Sequence, residues 1–191
     1  MAYATYTTQA IVCGSRDSYT SDRSYLLFTK DAGMLWANAR SVREEKSKQR
    51  YALQDFSSIR VSLVKGKTGW RIGSVEALGN AFLNAKDRQQ RGLVSYAVTQ
   101  LRRYVHGEVA LPSVYEDTLA ILTAPQIQQS SVIQSVFLLR LLTTLGYVAP
   151  SAQLQELIVL ETLEEAWKLC EEELVPVIEK ALVYATHASH L

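Results

Sequence analysis

The chain has 191 residues, of which 48% are hydrophobic and 20% charged, and its formal net charge is +1. This composition indicates a folded protein with a buried core and excludes a disordered one. No apolar run approaches the ~20 residues of a membrane-spanning helix, and two cysteines are too few for a disulfide framework. We therefore expect a cytoplasmic protein with no membrane partner.

The charge is unevenly distributed along the chain. Residues 1–80 carry twelve Lys and Arg against seven Asp and Glu, whereas residues 151–191 carry two against eight. A basic first part suggests a polyanionic partner. The alternative is a solvated surface whose charge is merely uneven.

The first eighty residues have the patterns of β-strands. In the fourth candidate segment, Ile59, Val61 and Leu63 alternate with more polar neighbours, as expected for a half-buried strand. Turns such as KDAG and KTG separate the segments. The five candidates are, in chain order, TTQAIVCG, SYLLFT, MLWANAR, SIRVSLVKG and WRIGSVEA. Their number and length favour a closed or partly closed barrel of the OB type, with an SH3-like barrel as the competing fold.

From Leu78 onward the apolar period becomes helical. The segment LVSYAVTQLRRYV places its apolar side chains on one stripe, Pro112 suits the first turn of a second helix, and a third helix opens at Pro125. Gly146 suits the residue that follows a helix C-terminus. A capping-box pattern in TLEE indicates one further helix start.

These patterns together predict an α+β chain. We expect a five-stranded OB-fold barrel that binds nucleic acid over residues 1–78, followed by an α-helical domain over residues 79–191. Helices grouped after the strands, rather than alternating with them, are typical of this class.

Catalytic and metal-binding patterns are weak. The chain has no phosphate-binding GxxxxGK[ST], no GxGxxG after a strand and no GxSxG. Cys170, His187 and His190 could nominally hold a metal, but their spacing matches no standard zinc pattern. The acids between Glu161 and Glu179 have the spacing of a solvated helix face. We predict a protein that is not an enzyme and holds no metal or cofactor.

Two clusters of basic residues lie in the β part. One lies between the third and fourth strand candidates, and the other surrounds the hairpin that joins the last two. Lys and Arg side chains neutralise phosphates and release the counterions condensed on them. Exposed aromatic rings among them would stack bases without distinguishing sequence. The predicted DNA-binding residues are Arg40, Arg43, Lys46, Lys48, Arg50, Lys65, Lys67 and Arg71, and the predicted base-stacking residues are Trp36, Tyr51 and Trp70.

Residues 8–77 contain a series of short motifs in a definite order and spacing. They are Ala10 to Val12 with Arg16; Asp22-Arg23; Leu27-Phe28-Thr29 with Gly33; Arg40, Arg43, Lys46 and Ser47; Leu53-Gln54 with Phe56; Lys65-Gly66-Lys67; and Trp70-Arg71-Ile72. Together these motifs resemble the N-terminal domain of the RecO family of bacterial recombination mediators. Farther on, FLLRLLTTLGYVAP is similar to the family's helix that ends in L-x-x-LGY-x-P. Many relatives then carry a four-cysteine zinc module, and SAQLQELIVLETLEE in its place indicates a short form without it.

The resemblance implies a non-enzymatic, nucleoid-associated protein that binds single- and double-stranded DNA and anneals complementary strands. It implies action with RecR, and possibly RecF, in placing RecA on DNA coated with single-stranded DNA-binding protein (SSB). It also suggests that the helical domain captures the acidic tail of SSB, with Arg102, Arg103 and Arg140 as candidate contacts. Two alternatives stay open: an RNA-binding OB-fold protein, and an adaptor whose basic loop meets an acidic partner protein.

Overall fold

The computed structural model describes residues 5–18, 20–124, 129–149 and 151–188. Its strands are β1 Thr5–Asp17, β2 Arg23–Thr29, β3 Gly33–Ala39, β4 Ser57–Gly66 and β5 Gly69–Asn80. Its helices are α1 Gln49–Ala52, α2 Ala81–Asn84, α3 Arg88–Tyr104, α4 Pro112–Thr123, α5 Ser130–Thr144, α6 Gln155–Val159, α7 Leu163–Leu169 and α8 Val175–Ala188, with a 3-10 turn at Glu172–Leu174 before α8.

The five strands close into a barrel in the order β1-β2-β3-β5-β4. All neighbouring pairs are antiparallel except β3 and β5, where Ala37 lies opposite Trp70 and Asn38 opposite Arg71 in a parallel pair. A bulge between Val12 and Gly14 bends β1, as expected where a strand must turn a barrel corner. This architecture confirms the predicted five-stranded OB barrel and the helices after it, and it rules out the SH3-like alternative.

The barrel core contains the inward-facing side chains of all five strands, including Leu27, Leu35 and Leu63, which are almost completely buried. The segment between β3 and β4 adds two residues to this core, Val42 and Leu53. Because both are buried, this segment is held against the barrel although most of its side chains are polar.

The turn between β2 and β3 packs closely against residues 105–111. Gly33 has a φ of +70°, and a Cβ atom at this position would lie 2.2 Å from the carbonyl oxygen of Val109. Next to it, the Met34 N–H donates a hydrogen bond of 3.0 Å to the carbonyl of Gly107. Glycine is therefore required here both for its backbone conformation and for the lack of a side chain.

The chain forms two compact units. One comprises Met1–Lys86 with Leu101–Pro112, and the other comprises Asp87–Gln100 with Ser113–Leu191. The end of α3 and the loop after it thus pack with the barrel. The predicted boundary between residues 78 and 79 falls just before the end of β5.

In the helical unit, the apolar helix α5 packs against α6, α7 and α8. Helix α4 starts at Pro112, as predicted, and Thr162 and Glu165 form the predicted capping box of α7. Gly146 has a φ of +79° just after α5, which confirms its predicted place. The predicted helix start at Pro125 lies outside the described residues. No described helix combines the length and apolar character needed to cross a bilayer.

Candidate nucleic-acid interface

The basic segment between β3 and β4, residues 40–56, is held to the β1–β2 loop by hydrogen bonds that its backbone N–H groups donate. The Ser41 N–H donates to Oδ1 of Asp22 at 2.8 Å, and the Arg43 N–H donates to the carbonyl of Ser21 at 3.1 Å. With Val42 and Leu53 in the core, these bonds leave the segment little freedom. Its cationic side chains therefore project from an ordered backbone, which lowers the entropy lost on binding.

A cavity of about 600 Å³ opens beside α1, at the end of the barrel. We call it the arginine cavity, because Arg23, Arg43 and Arg50 line it together with Tyr51 and Asp55. Arg43 and Arg50 were predicted as DNA-binding residues, and Tyr51 as a base-stacking residue. The structure brings these three side chains into one place.

Asp17 orients two of the three arginines. Its Oδ1 atom accepts a hydrogen bond from Nε of Arg23 at 3.0 Å and lies 3.0 Å from Nη2 of the same guanidinium, and its Oδ2 atom lies 3.5 Å from Nη1 of Arg43. The hydrogen bond that Arg23 donates to Asp17 raises the pKa of Arg23. One carboxylate held between two guanidiniums leaves a net positive charge at the cavity rim.

The half-buried Arg50 contacts the exposed ring of Tyr51. Nη2 of Arg50 donates to the Tyr51 hydroxyl at 2.6 Å, and its guanidinium carbon lies 4.7 Å from the ring centroid. Tyr51 is 63% exposed. An exposed ring beside a cation is the arrangement on which unpaired bases stack.

A second cavity, of about 330 Å³, also borders α1. Its lining includes Arg40 from the first basic cluster and Arg71 from the second. Gln49 of α1 closes it by donating from Nε2 to the carbonyl of Gly73 at 3.0 Å. The fold thus joins at α1 two basic clusters that are separate in the sequence.

Lys65 and Trp70 are engaged by a carboxylate of the same chain. Glu108 accepts bonds from Nζ of Lys65 and from Nε1 of Trp70, both at 2.9 Å. These bonds lower the pKa of Glu108, with the Lys65 bond as the larger cause. Nζ of Lys65 also lies 4.8 Å from a Trp70 ring centroid, and the Trp70 ring packs against the barrel core. Trp70 is therefore less accessible for stacking than Tyr51.

Trp36 lies on the outer face of β3 and is 39% exposed. The guanidinium of Arg16 covers it, with 4.1 Å from its carbon to the ring centroid. Strand register places Arg16 opposite Ser24, Ser24 opposite Asn38, and Asn38 opposite Arg71, so a polar row crosses four strands. OB folds bind oligonucleotides on this face and at the adjoining loops.

The remaining predicted cations are exposed and project into solvent. Among the described residues, no carboxylate forms a salt bridge with Arg40, Lys46, Lys48 or Lys67. Their charges are available to an incoming anion.

Several residues of the site were not among the sequence-predicted ones, among them Arg16, Arg23 and Glu108. Arg16 and Arg23 have a local signal, because each lies at a strand end that borders a polar loop. Glu108 has none, since it follows Lys65 by 43 positions and meets it only through folding.

Arg140 is not available to a ligand. It is 6% exposed, and it donates to both carboxylate oxygens of Asp117, at 2.7 and 3.2 Å. Nη1 also donates to three carbonyls in and after α6, those of Leu157, Ile158 and Leu160. The structure thus contradicts Arg140 as a contact for an SSB tail, because its charge and its donors are used inside the helical unit.

Arg102 and Arg103 are exposed in the last turn of α3, where cations are favourable near the carbonyl end of a helix. The Arg103 guanidinium lies 5.1 Å from the Tyr104 ring centroid. Both arginines belong to the unit that contains the barrel.

In the part of the chain that the structure describes, no group of three or more His, Cys, Asp and Glu side chains is arranged to hold a metal ion. Cys170 is buried, and burial raises the pKa of its thiol. The His187 side chain and His190 lie outside the described residues.

Residues 1–80 match the family model described as Recombination protein O N terminal. Two curated relatives carry the name DNA repair protein RecO. The relative from Dehalococcoides mccartyi is 28% identical over 144 residues, which cover 74% of this chain and 56% of the relative. The relative from Caldanaerobacter subterraneus subsp. tengcongensis is 29% identical over 145 residues, which cover 74% and 58%. The chain therefore spans little more than half the length of these curated relatives.

Proposed function

We propose that the chain belongs to the RecO family through its N-terminal barrel, which matches that family's N-terminal model, and that it is a non-catalytic DNA-binding protein of recombinational repair. In this proposal the cationic surface around α1 holds single strands and helps complementary strands to anneal. The observation that carries it is the meeting of both basic clusters at α1, beside the exposed ring of Tyr51.

The proposed contacts are mainly to phosphates. The cations around α1 are Lys and Arg on an ordered segment, and they lie on both sides of a short helix rather than along a helix that would enter a groove. Phosphate contacts position a strand but carry no sequence information. We therefore expect affinity for many sequences, with bases left free to pair with a second strand.

Annealing follows from the same charge distribution. Two single strands repel each other through their phosphates, and a surface that neutralises several phosphates reduces this repulsion. The exposed cations Lys46, Lys48 and Lys67 lie outside the cavities and extend the charged surface beyond one strand's contacts.

We further propose the partners that the family resemblance implies: SSB, RecR and possibly RecF, with RecA as the protein that is finally placed on the DNA. Arg102 and Arg103 remain the proposed contacts for the acidic SSB tail, because arginine recognises carboxylates through paired hydrogen bonds.

The proposal predicts a steep salt dependence of single-strand binding. If about five phosphates are neutralised, the logarithm of the affinity falls with the logarithm of salt concentration with a slope of about −3.5. Replacing both Lys46 and Lys48 with Ala is expected to reduce the magnitude of the slope by about 1.4 and to lower the affinity for oligonucleotides of all sequences similarly. Fluorescence anisotropy with labelled 15-residue oligonucleotides at several salt concentrations measures both quantities.

Lys180→Ala on α8 serves as the control, because it removes one exposed cation from the acidic part of the chain. A slope near zero for the wild-type protein would contradict phosphate binding. A strand-annealing assay under the same conditions tests the function itself, and the Lys46 and Lys48 double variant should anneal more slowly than Lys180→Ala. Competition with RNA and DNA strands of the same sequence distinguishes the RNA-binding alternative from a DNA-binding protein. Absence of any nucleic-acid affinity would favour the protein adaptor.

Glu108→Gln is expected to strengthen single-strand binding by about two- to fivefold at low salt. The substitution keeps an acceptor for the Trp70 N–H but removes the charge that pairs with Lys65. Lys65 then becomes available to a phosphate, and the salt slope should steepen by about 0.7.

The matched control is Glu76→Gln, which releases Arg60 from a 3.0 Å salt bridge on the same pair of strands and changes the net charge equally. If both variants strengthen binding equally, the gain comes from overall charge, and Glu108 has no specific role at the interface.

A further inference from the structure

We propose that the arginine cavity is a nucleotide-binding site that takes one unstacked nucleotide of a single strand. Its phosphate would lie on Arg43 and Arg50, and its base against the ring of Tyr51. This inference rests on the proposed function and deepens it. Surface cations alone can bind a strand through its phosphates, whereas this proposal assigns one nucleotide of the strand to a defined cavity.

The size and the floor of the cavity fit such a ligand. Sites for small molecules have volumes of about 300–1,000 Å³, and the arginine cavity has about 600 Å³. Its most buried lining residues, Tyr25, Val42 and Leu53, are members of the barrel core and are largely apolar. An inorganic anion needs no apolar floor, whereas a base gains from one because its faces are poorly hydrated.

The charge at the rim fits a phosphate group. Arg50 has its hydrogen bond and its ring contact with Tyr51, and no carboxylate among the described residues forms a salt bridge with it. Arg43 has one contact with Asp17, at 3.5 Å. A guanidinium has five N–H donors, so both side chains keep donors for phosphate oxygens.

The position of Tyr51 fits a base. The ring lines the cavity and is also 63% exposed although the Arg50 guanidinium lies 4.7 Å from its centroid, so an unpaired base at the mouth can contact the part of the ring that Arg50 leaves uncovered. Gln54 and Asp55 complete the rim with groups that can accept hydrogen bonds from a base edge. A base inside a duplex is stacked on both faces and cannot enter, so the site contributes a preference for single strands.

The test is isothermal titration calorimetry of the full chain with three ligands in separate experiments: deoxyadenosine 5′-monophosphate, deoxyadenosine and inorganic phosphate. The nucleotide should bind more tightly than either of its parts. Tyr51→Ala should weaken nucleotide binding at least fivefold, while Tyr51→Phe, which keeps the ring, should remain close to wild type. Arg50→Gln should weaken it about tenfold or more, because a hydrogen bond to a charged group is lost.

Lys180→Ala is the control, because this exposed cation on α8 does not line the cavity and has no role in the proposed interface. Thermal unfolding of each variant establishes that it is folded before its titration is compared. Equal affinity for phosphate and nucleotide, or a Tyr51→Ala variant that binds as well as wild type, would overturn the nucleotide site. A 15-residue oligonucleotide is titrated in parallel: if it binds while the nucleotide does not, the cavity proposal alone fails, and if neither binds, the proposed function fails as well.

Discussion

Asp117→Ala is expected to lower the free energy of unfolding of the helical unit by about 3–5 kcal/mol, because it leaves the buried Arg140 charge without its partner. The two side chains are 6–7% exposed and meet in a fork of two bonds, at 2.7 and 3.2 Å. Arg140 also satisfies three carbonyls that lie in and after α6. The pair therefore links α4, α5 and the C-terminal end of α6.

Burial raises the pKa of Asp117, and the bonds from Arg140 oppose that shift. The Arg140 guanidinium thus stabilises the charged form of Asp117 at this buried position. Removing the carboxylate leaves the guanidinium with its desolvation cost uncompensated, because the Arg140 side chain is only 7% exposed.

Urea unfolding, monitored by circular dichroism, measures the loss in the free energy of unfolding. Glu164→Ala is the matched control, since it breaks the exposed pair with Lys168 at 2.6 Å and should cost less than about 1 kcal/mol. A combined Asp117→Leu and Arg140→Met variant should recover part of the loss, because it removes both buried charges together. If Asp117→Ala costs no more than Glu164→Ala, the buried pair does not stabilise the unit.

Gly33→Ala is expected to destabilise the barrel unit by about 3 kcal/mol, through two effects that act together. A left-handed backbone costs a residue with a Cβ atom about 1–2 kcal/mol. The new Cβ would in addition lie 2.2 Å from the oxygen and 2.7 Å from the nitrogen of Val109. Backbone atoms cannot move aside as a flexible side chain can, so the turn and residues 105–111 must separate and strain the Met34–Gly107 hydrogen bond.

Gly107→Ala separates the two effects. Gly107 has a similar φ of +84°, but nothing lies within 4 Å of the Cβ position there. It should therefore show only the conformational cost, and the difference in the midpoint of urea unfolding between the two variants measures the close approach. Equal losses in both variants would mean that residues 105–111 yield without cost.

Much of the fold follows from local patterns. The alternation in β4 and the turn signals at Gly33 and Gly69 predicted the strands, and the TLEE sequence predicted the capping box of α7. These features depend on neighbours two to four positions apart, which the sequence displays directly. The basic character of residues 40–50 can also be read from the sequence, because the charge of an exposed loop does not depend on how distant segments pack.

The tertiary structure decided how these residues are used. Arg40 shares a cavity with Arg71, and Arg43 approaches Arg23 through Asp17, because barrel closure brings distant strand ends together. Arg140 has the sequence context of a cation at the edge of an apolar helix, but folding places it beside Asp117.

Glu108 likewise covers Lys65 although 43 positions separate them. No periodicity encodes such pairings, since they depend on which distant segments pack together. The sequence by itself therefore determined the barrel and its charge, while the packing of distant segments decided which cations stay available to a ligand.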